Sequence, residues 1–329
     1  MKKIWFRASS VRERDTIIDL IRAIGVLWIV GFYHLSDYTV LTLQAPVYGF
    51  ITRGVLTSFT FVSGILLGRK SYSTKEEIVR FARKRILHLY FPFMIACLVA
   101  VAEHFLIGTY LFRSTSNAIL TVLGLSSIIL PAAPTLWFVC MMFVLYCFTP
   151  FILHENNMRC IIARSVGLYV VLWGIHLLTG LFDERVLLYY PSYIAGFLMK
   201  YVPDKHKKQF PISLVSLIGW IVLCSFGWTA PDLFVVQLLV SLLGIPVVYT
   251  LAMILNKSKP ISQFLGIIGQ SSMCIYLFHR QIYSFLCYII GGQFSNVFAV
   301  CAAVPFCIIC GYLINASMRV MINRLERGV

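Results

Sequence analysis

Charge is scarce in this chain. Only 12% of its 329 residues are Asp, Glu, Lys or Arg, and carboxylates are scarcer still, 13 against 28 cations. With 59% hydrophobic residues and a mean hydropathy of +0.84, there is more apolar surface than a soluble core of this size can take in, so lipid has to be its solvent. No stretch alternates with the two-residue period of a barrel strand. What remains are apolar blocks of about 17 to 23 residues, the length a helix needs to cross roughly 30 Å of hydrocarbon. Internal repeats, low-complexity tracts and a hydrophilic block large enough for a soluble domain are also missing, so 1–329 reads as one membrane domain. The first apolar run carries no small-residue cleavage site and is interrupted by Asp19 and Arg22, which predicts a retained helix rather than a signal peptide. The ten cysteines form no disulfide framework, because most lie inside apolar blocks. Cys307-x-x-Cys310 has no second ligand pair beside it and reads as packing, so no metal is expected. His104, His154, His176 and His206 show no paired spacing and read as structural or surface residues.

The expected fold is an all-α polytopic membrane protein of about ten transmembrane helices, at 17–36, 50–68, 88–110, 135–153, 163–181, 186–200, 211–229, 234–255, 270–290 and 295–317. A short basic segment, 1–16, precedes them and a tail, 318–329, follows. A net charge of +15 invites a nucleic-acid partner, but its placement argues against one. If the N-terminus is cytoplasmic, 23 of the 28 cations fall on that side: Lys2, Lys3, Arg7, Arg12 and Arg14, the run from Arg69 to Arg85, Arg159 and Arg164, the cluster from Lys200 to Lys208, Lys257 and Lys259, and Arg319, Arg324 and Arg327. Arg53, Arg113 and Arg185 fall outside, while Arg22 and Arg280 lie within spans. The positive-inside rule thus predicts both termini in the cytoplasm. Treating 115–131 as an eleventh span would invert every later loop. An external interfacial or re-entrant segment, ending at Pro131 and Pro134, fits better.

Within the first span, Asp19, Arg22 and His34 are ionisable groups at a depth where each costs about 2.5 to 3.5 kcal/mol, and such groups are kept where they line a pathway or a site. Asp19-Leu-Ile-Arg22 followed by His34 resembles the opening signature of the acyltransferase type 3 family, integral membrane enzymes that acylate extracytoplasmic glycans. Four further stretches resemble it in order. These are Phe59-Thr-Phe-Val-Ser63-Gly64; Arg83-Lys-Arg85-Ile-Leu-His88-Leu-Tyr90-Phe-Pro92, with His88 where the family commonly has a second Arg; Leu136-Trp137-Phe138 with Tyr146 and Pro150; and Gly269-Gln270-Ser271-Ser272-Met-Cys-Ile-Tyr276-Leu-Phe-His279. Together they span residues 15 to 280.

The resemblance implies transfer of an acyl group, most simply acetyl, from cytoplasmic acetyl-CoA to a hydroxyl of an envelope glycan or lipid-linked glycan at a bacterial inner membrane. Acyl-CoA, the glycan and membrane lipid would be its partners. His34 would act as general base, since imidazole titrates near neutrality. Arg22 lies about 18 Å below it at 1.5 Å per residue, so the two could bracket one long anionic thioester. Arg80, Arg83, Lys84 and Arg85 would meet the donor phosphates, and guanidinium forks suit them. They could equally touch acidic lipid. Ser63 and Trp137 would line the tunnel, or else serve as a helix contact and an interfacial anchor. Ser272, Tyr276 and His279 share one helix face, where they could bond a carbonyl or orient His34. Asp37 could orient the imidazole, or be an ordinary solvated helix end, and Arg280 needs a partner. Arg22 and His34 are twelve positions apart where the family has eleven, which turns them about 120° from each other on a regular helix. A π-bulge near Gly25 or Gly31 would restore the alignment; without one, Tyr33 takes the position of His34. A proton-coupled transporter or flippase of an anionic substrate is the alternative function.

Overall fold

The computed structural model describes residues 16–39, 46–108, 112, 114–129, 134–155, 157–202, 209–227 and 233–327, with side chains at all of these except 46–47, 209–213, 224–227 and 327. The N-terminal cations, Arg113, Pro131 and the stretch from Lys205 to Lys208 lie outside them. Among the described residues the chain is helical, with one isolated bridge, Thr39 to Phe294.

Helix α1, Thr16–Trp28, runs into a π-helical turn, Ile29–Tyr33, and a 3-10 turn, Leu35–Tyr38. It is followed by α2, Pro46–Gly68, and α3, Lys75–Arg85. A second π turn, Ile86–Tyr90, joins α3 to α4, Phe91–Ile107. Next come α5, Thr115–Val122; α6, Trp137–Ile152; α7, Met158–Thr179; α8, Glu184–Leu198; and α9, Gln209–Gly227. The last are α10, Phe234–Asn256; α11, Lys259–Ile290; the short α12, Asn296–Phe298; and α13, Val304–Arg327.

Seven helical stretches among the described residues are long and apolar enough to cross a membrane: Thr16–Tyr38, Tyr48–Gly68, Lys75–Ile107, Met158–Thr179, Phe234–Asn256, Lys259–Ile290 and Asn296–Glu326. Trp137–Ile152 and Leu214–Leu223 are apolar but shorter. The block 115–131 holds a helix of only eight residues, stopped at Gly124, whose φ of +75° suits glycine. Eight residues span about 12 Å, too little to cross. Helix α13 continues to residue 327, past the expected end of its span at 317, and α11 begins eleven residues before 270.

Hydrogen bonds tie the loops into two ends. At the first, Tyr72 N donates to Leu153 O, Ser73 Oγ to His154 O, Lys200 Nζ to Gly68 O at 2.7 Å, and Arg319 Nη2 to Gln270 O. Arg80, Arg83, Lys84 and Arg85 belong to this end through α3. At the other, Phe294 N donates to Tyr38 O and Asp183 N to Ser127 O.

Helix α1 lies against α11 and α2, and α2 against α8 and α10. Two glycine contacts set those distances. A Cβ on Gly269 of α11 would overlap the Asp19 carbonyl of α1, and one on Gly64 of α2 would overlap the Tyr193 carbonyl of α8. Small residues bring membrane helices this close, and van der Waals contact then takes over the role that water plays in a soluble core. Tyr193 is fully buried, and its hydroxyl shares a 2.6 Å hydrogen bond with Thr149 Oγ1.

Candidate functional site

The π turn at Ile29–Tyr33 contains Gly31 and inserts one extra residue between Arg22 and His34. With that residue absorbed, the two side chains return to within about 20° of one face. Arg22 and His34 line two adjoining cavities of about 200 and 280 Å³. Ile29, Leu56 and Tyr276 line both, so the two cavities adjoin at these residues. Tyr33 also faces the His34 cavity, beside the imidazole rather than in place of it.

His34 Nδ1 lies 2.8 Å from His279 Nε2, with the rings 5.0 Å apart and 4° from parallel. His279 is fully buried, and its Nδ1 lies 2.6 Å from the Tyr276 carbonyl. A carbonyl only accepts, so the proton of neutral His279 is assigned to Nδ1 and its Nε2 becomes an acceptor. His34 then donates from Nδ1, which leaves its Nε2 lone pair without a proton. This is the tautomer a general base requires. The same α11 segment holds that junction in place: the Tyr276 hydroxyl donates to Thr135 O at 2.5 Å, and its ring meets Phe138 edge to face at 6.0 Å.

Asp37 does not reach His34. Its carboxylate accepts from Arg280 Nη2 at 2.8 Å, and Arg280 Nε donates to Thr135 Oγ1, which supplies the partner that Arg280 needed. The polar residue beside His34 is therefore His279.

Ser63, Ser272, Arg85 and His88 line the Arg22 cavity. Gly64, next to Ser63, makes the helix contact instead, so the adjacent pair serves both readings of the motif. Arg85 also lines a third cavity, of about 350 Å³, with Lys70, Tyr72, Arg80 and Lys84. Its guanidinium lies 5.4 Å from the Phe81 ring centroid and 5.0 Å from that of Tyr146, while its Nε has no hydrogen-bond partner among the described residues. The Tyr72 hydroxyl is likewise buried and without a partner there; burial pushes it up to about 12 against the pull of Arg85, so it stays a neutral donor. Buried donors left in this state cost about 1 to 3 kcal/mol each, which makes them receptive to an anion. Arg83 faces a separate surface cavity with Arg80, Lys84 and Glu326, and His88 Nε2 lies 2.9 Å from Glu326 Oε1.

Trp137 lies at the other end, in the His34 cavity, among residues that the sequence had not marked: Arg53, Arg185, Tyr189 and Gln237. Arg185 stacks on Trp137 with its Cζ 4.0 Å from the ring centroid, and its fork grips Asp183, with Nε to Oδ1 at 2.7 Å. By charge placement alone, Arg53 and Arg185 had passed for ordinary external cations. The one available signal was their position just inside the starts of apolar helices.

Three cavities therefore succeed one another: a cationic one, one lined by Arg22, and one lined by His34, behind which His279 is buried. Adjoining cavities share Arg85 in the first step and Ile29, Leu56 and Tyr276 in the second. A family model described as an acyltransferase domain matches residues 15–316. No curated protein and no solved structure matches the chain. The matched stretch runs from the start of α1 into α13 and contains Arg22, His34, the Arg80 to Arg85 cluster and His279, and the chain therefore belongs to the acyltransferase type 3 family, whose members transfer acyl groups.

Proposed function

We propose that this membrane acyltransferase takes an acetyl group from acetyl-CoA at its cationic end and delivers it to a hydroxyl of a cell-envelope glycan at the end where His34 lies. In this reading about ten helices cross a bacterial inner membrane, and the cationic end faces the cytoplasm, as the positive-inside rule favours. Supporting it is the succession of cavities from a cluster of cationic donors to an imidazole in the base tautomer, the last two meeting at Ile29, Leu56 and Tyr276.

Arg80, Lys84 and Arg85, with the Tyr72 hydroxyl, suit the nucleotide phosphates; guanidinium forks and partnerless donors fit that charge. Arg22 and Ser63 would flank the thin arm of the donor along the cavity they line. His34 Nε2 takes the proton of the acceptor hydroxyl as its oxygen attacks the thioester carbonyl. The carbon–sulfur bond then breaks, and the departing thiolate receives that proton from the imidazolium. His279 and the Tyr276 carbonyl hold the ring in the required tautomer throughout, so they are positioning groups rather than catalytic ones.

Purified protein in nanodiscs with radiolabelled acetyl-CoA tests this. General-base catalysis is worth about 10² to 10⁴ in rate, and His34→Ala should lose that much thioester turnover. Turnover equal to wild type in that variant would exclude His34 as the base. Movement of an anionic solute with no consumption of thioester would favour transport instead.

A further inference from the structure

The charge of the His34 cavity bears on the acceptor. Arg53 and Arg185 line it, and among the described residues no Asp or Glu does. Arg185 is fixed twice over, by stacking on Trp137 and by Asp183, and its Nη1 donors remain uncommitted among the described residues. Arg53 differs. Among the described residues no carboxylate pairs with it, and its guanidinium is accompanied by the Phe50 ring, 5.4 Å from Cζ to centroid. An aromatic face offers a cation only about 0.5 to 1 kcal/mol at such a site, which leaves the charge largely unanswered among the described residues.

Snorkelling to lipid headgroups would satisfy an arginine near a helix start, but it would turn the side chain outward. Arg53 instead shares a cavity wall with His34 and Tyr189, beside Gly49, which adds no side-chain bulk at the point where an Arg53 Nη1 approaches it. A concave site lined by cations with low-dielectric walls concentrates anions. A neutral sugar would gain little from these groups, whereas a carboxylate or phosphate on the acceptor would complete the hydrogen bonding of both guanidinium groups.

We propose that the His34 cavity is a subsite for an anionic glycan, in which Arg53, backed by Arg185, binds a carboxylate or phosphate group and so presents a neighbouring hydroxyl to His34 Nε2. This rests on the acyl-transfer reading for its purpose, yet sugar binding can be measured without any donor. The two tests therefore fail separately: His34→Ala decides the chemistry, and binding decides the acceptor class.

The experiment measures binding of methyl glucuronoside, glucose 1-phosphate and methyl glucoside to the full-length protein in nanodiscs, by saturation-transfer NMR and thermal shift. Loss of a charge-assisted hydrogen bond weakens binding by about ten-fold or more, so at least one anionic sugar should bind about ten-fold tighter than the neutral one. Which of the two does so tells carboxylate from phosphate. In Arg53→Gln the preference should fall to within about two-fold, and Arg53→Lys, which keeps the charge but not the fork, should retain part of it. Equal binding of all three sugars, no detectable binding of any, or an undiminished preference in a folded Arg53→Gln protein would each overturn the proposal.

Discussion

Replacing His279 by Phe is the sharpest probe of the site. It keeps a ring of similar size in a fully buried position while removing both nitrogens. Two hydrogen bonds go with them: the 2.8 Å contact that holds His34 Nδ1 and the 2.6 Å contact to the Tyr276 carbonyl. The first loss releases His34 to take its other tautomer and removes the acceptor that steadies the imidazolium formed during transfer. A hydrogen bond to a charged group is worth about 1.5 to 3 kcal/mol, so kcat should fall by about 10- to 150-fold. The second loss strains the local packing of α11, at about 1 to 3 kcal/mol of stability, which a thermal melt reads independently. The assay is release of free thiol from acetyl-CoA by protein in nanodiscs. Because His279 acts through His34, the double variant His34→Ala/His279→Phe should be no slower than His34→Ala alone. If the two losses multiply, or if His279→Phe keeps the rate of the wild type, the relay from Tyr276 through His279 to His34 is wrong.

Leu56→Trp fills the junction between the Arg22 and His34 cavities and should abolish transfer while leaving binding of desulfo-CoA within about two-fold, since the cationic cavity is untouched; calorimetry checks the binding. Arg85→Gln removes a half-buried cation shared by two cavities, whose Nε has no hydrogen-bond partner among the described residues, and should raise the KM for acetyl-CoA about ten-fold or more with a smaller change in kcat, read from steady-state kinetics. Gly269→Ala drives a methyl group into the Asp19 carbonyl; overpacking of this kind costs about 1 to 3 kcal/mol, and the melting temperature in detergent should drop accordingly, with activity falling too as α1 is pushed from α11.

The Arg22–His34 interval and the candidate orienter Asp37 show how far spacing can be trusted. Twelve positions between Arg22 and His34 left two outcomes, an extra residue near Gly25 or Gly31 or Tyr33 in the place of His34, because helical periodicity is strict enough for a one-residue excess over the family spacing to be visible in the sequence. The π turn at Ile29–Tyr33 decides for the first. Asp37 illustrates the opposite. Three residues from His34, it was as reasonable an orienter as His279, and nothing local revealed that Arg280 would take it. Trp137 likewise belonged to a legible motif at an external span boundary, but whether it faced lipid or a cavity depended on how α6 stands against α8.

Composition and periodicity by themselves determined that lipid is the solvent, that the fold is helical, and that one helix carries ionisable groups worth explaining, because burial cost and helical repeat are properties of a single chain segment. Only the tertiary structure decided which groups meet. The His34/His279 pair joins residues 245 positions apart, and Arg53 and Arg185 join a histidine cavity they had seemed to lie outside. Contacts of that kind are set by how closely helices approach, here at Gly64 and Gly269, and no periodicity within one helix encodes its neighbour's rotation.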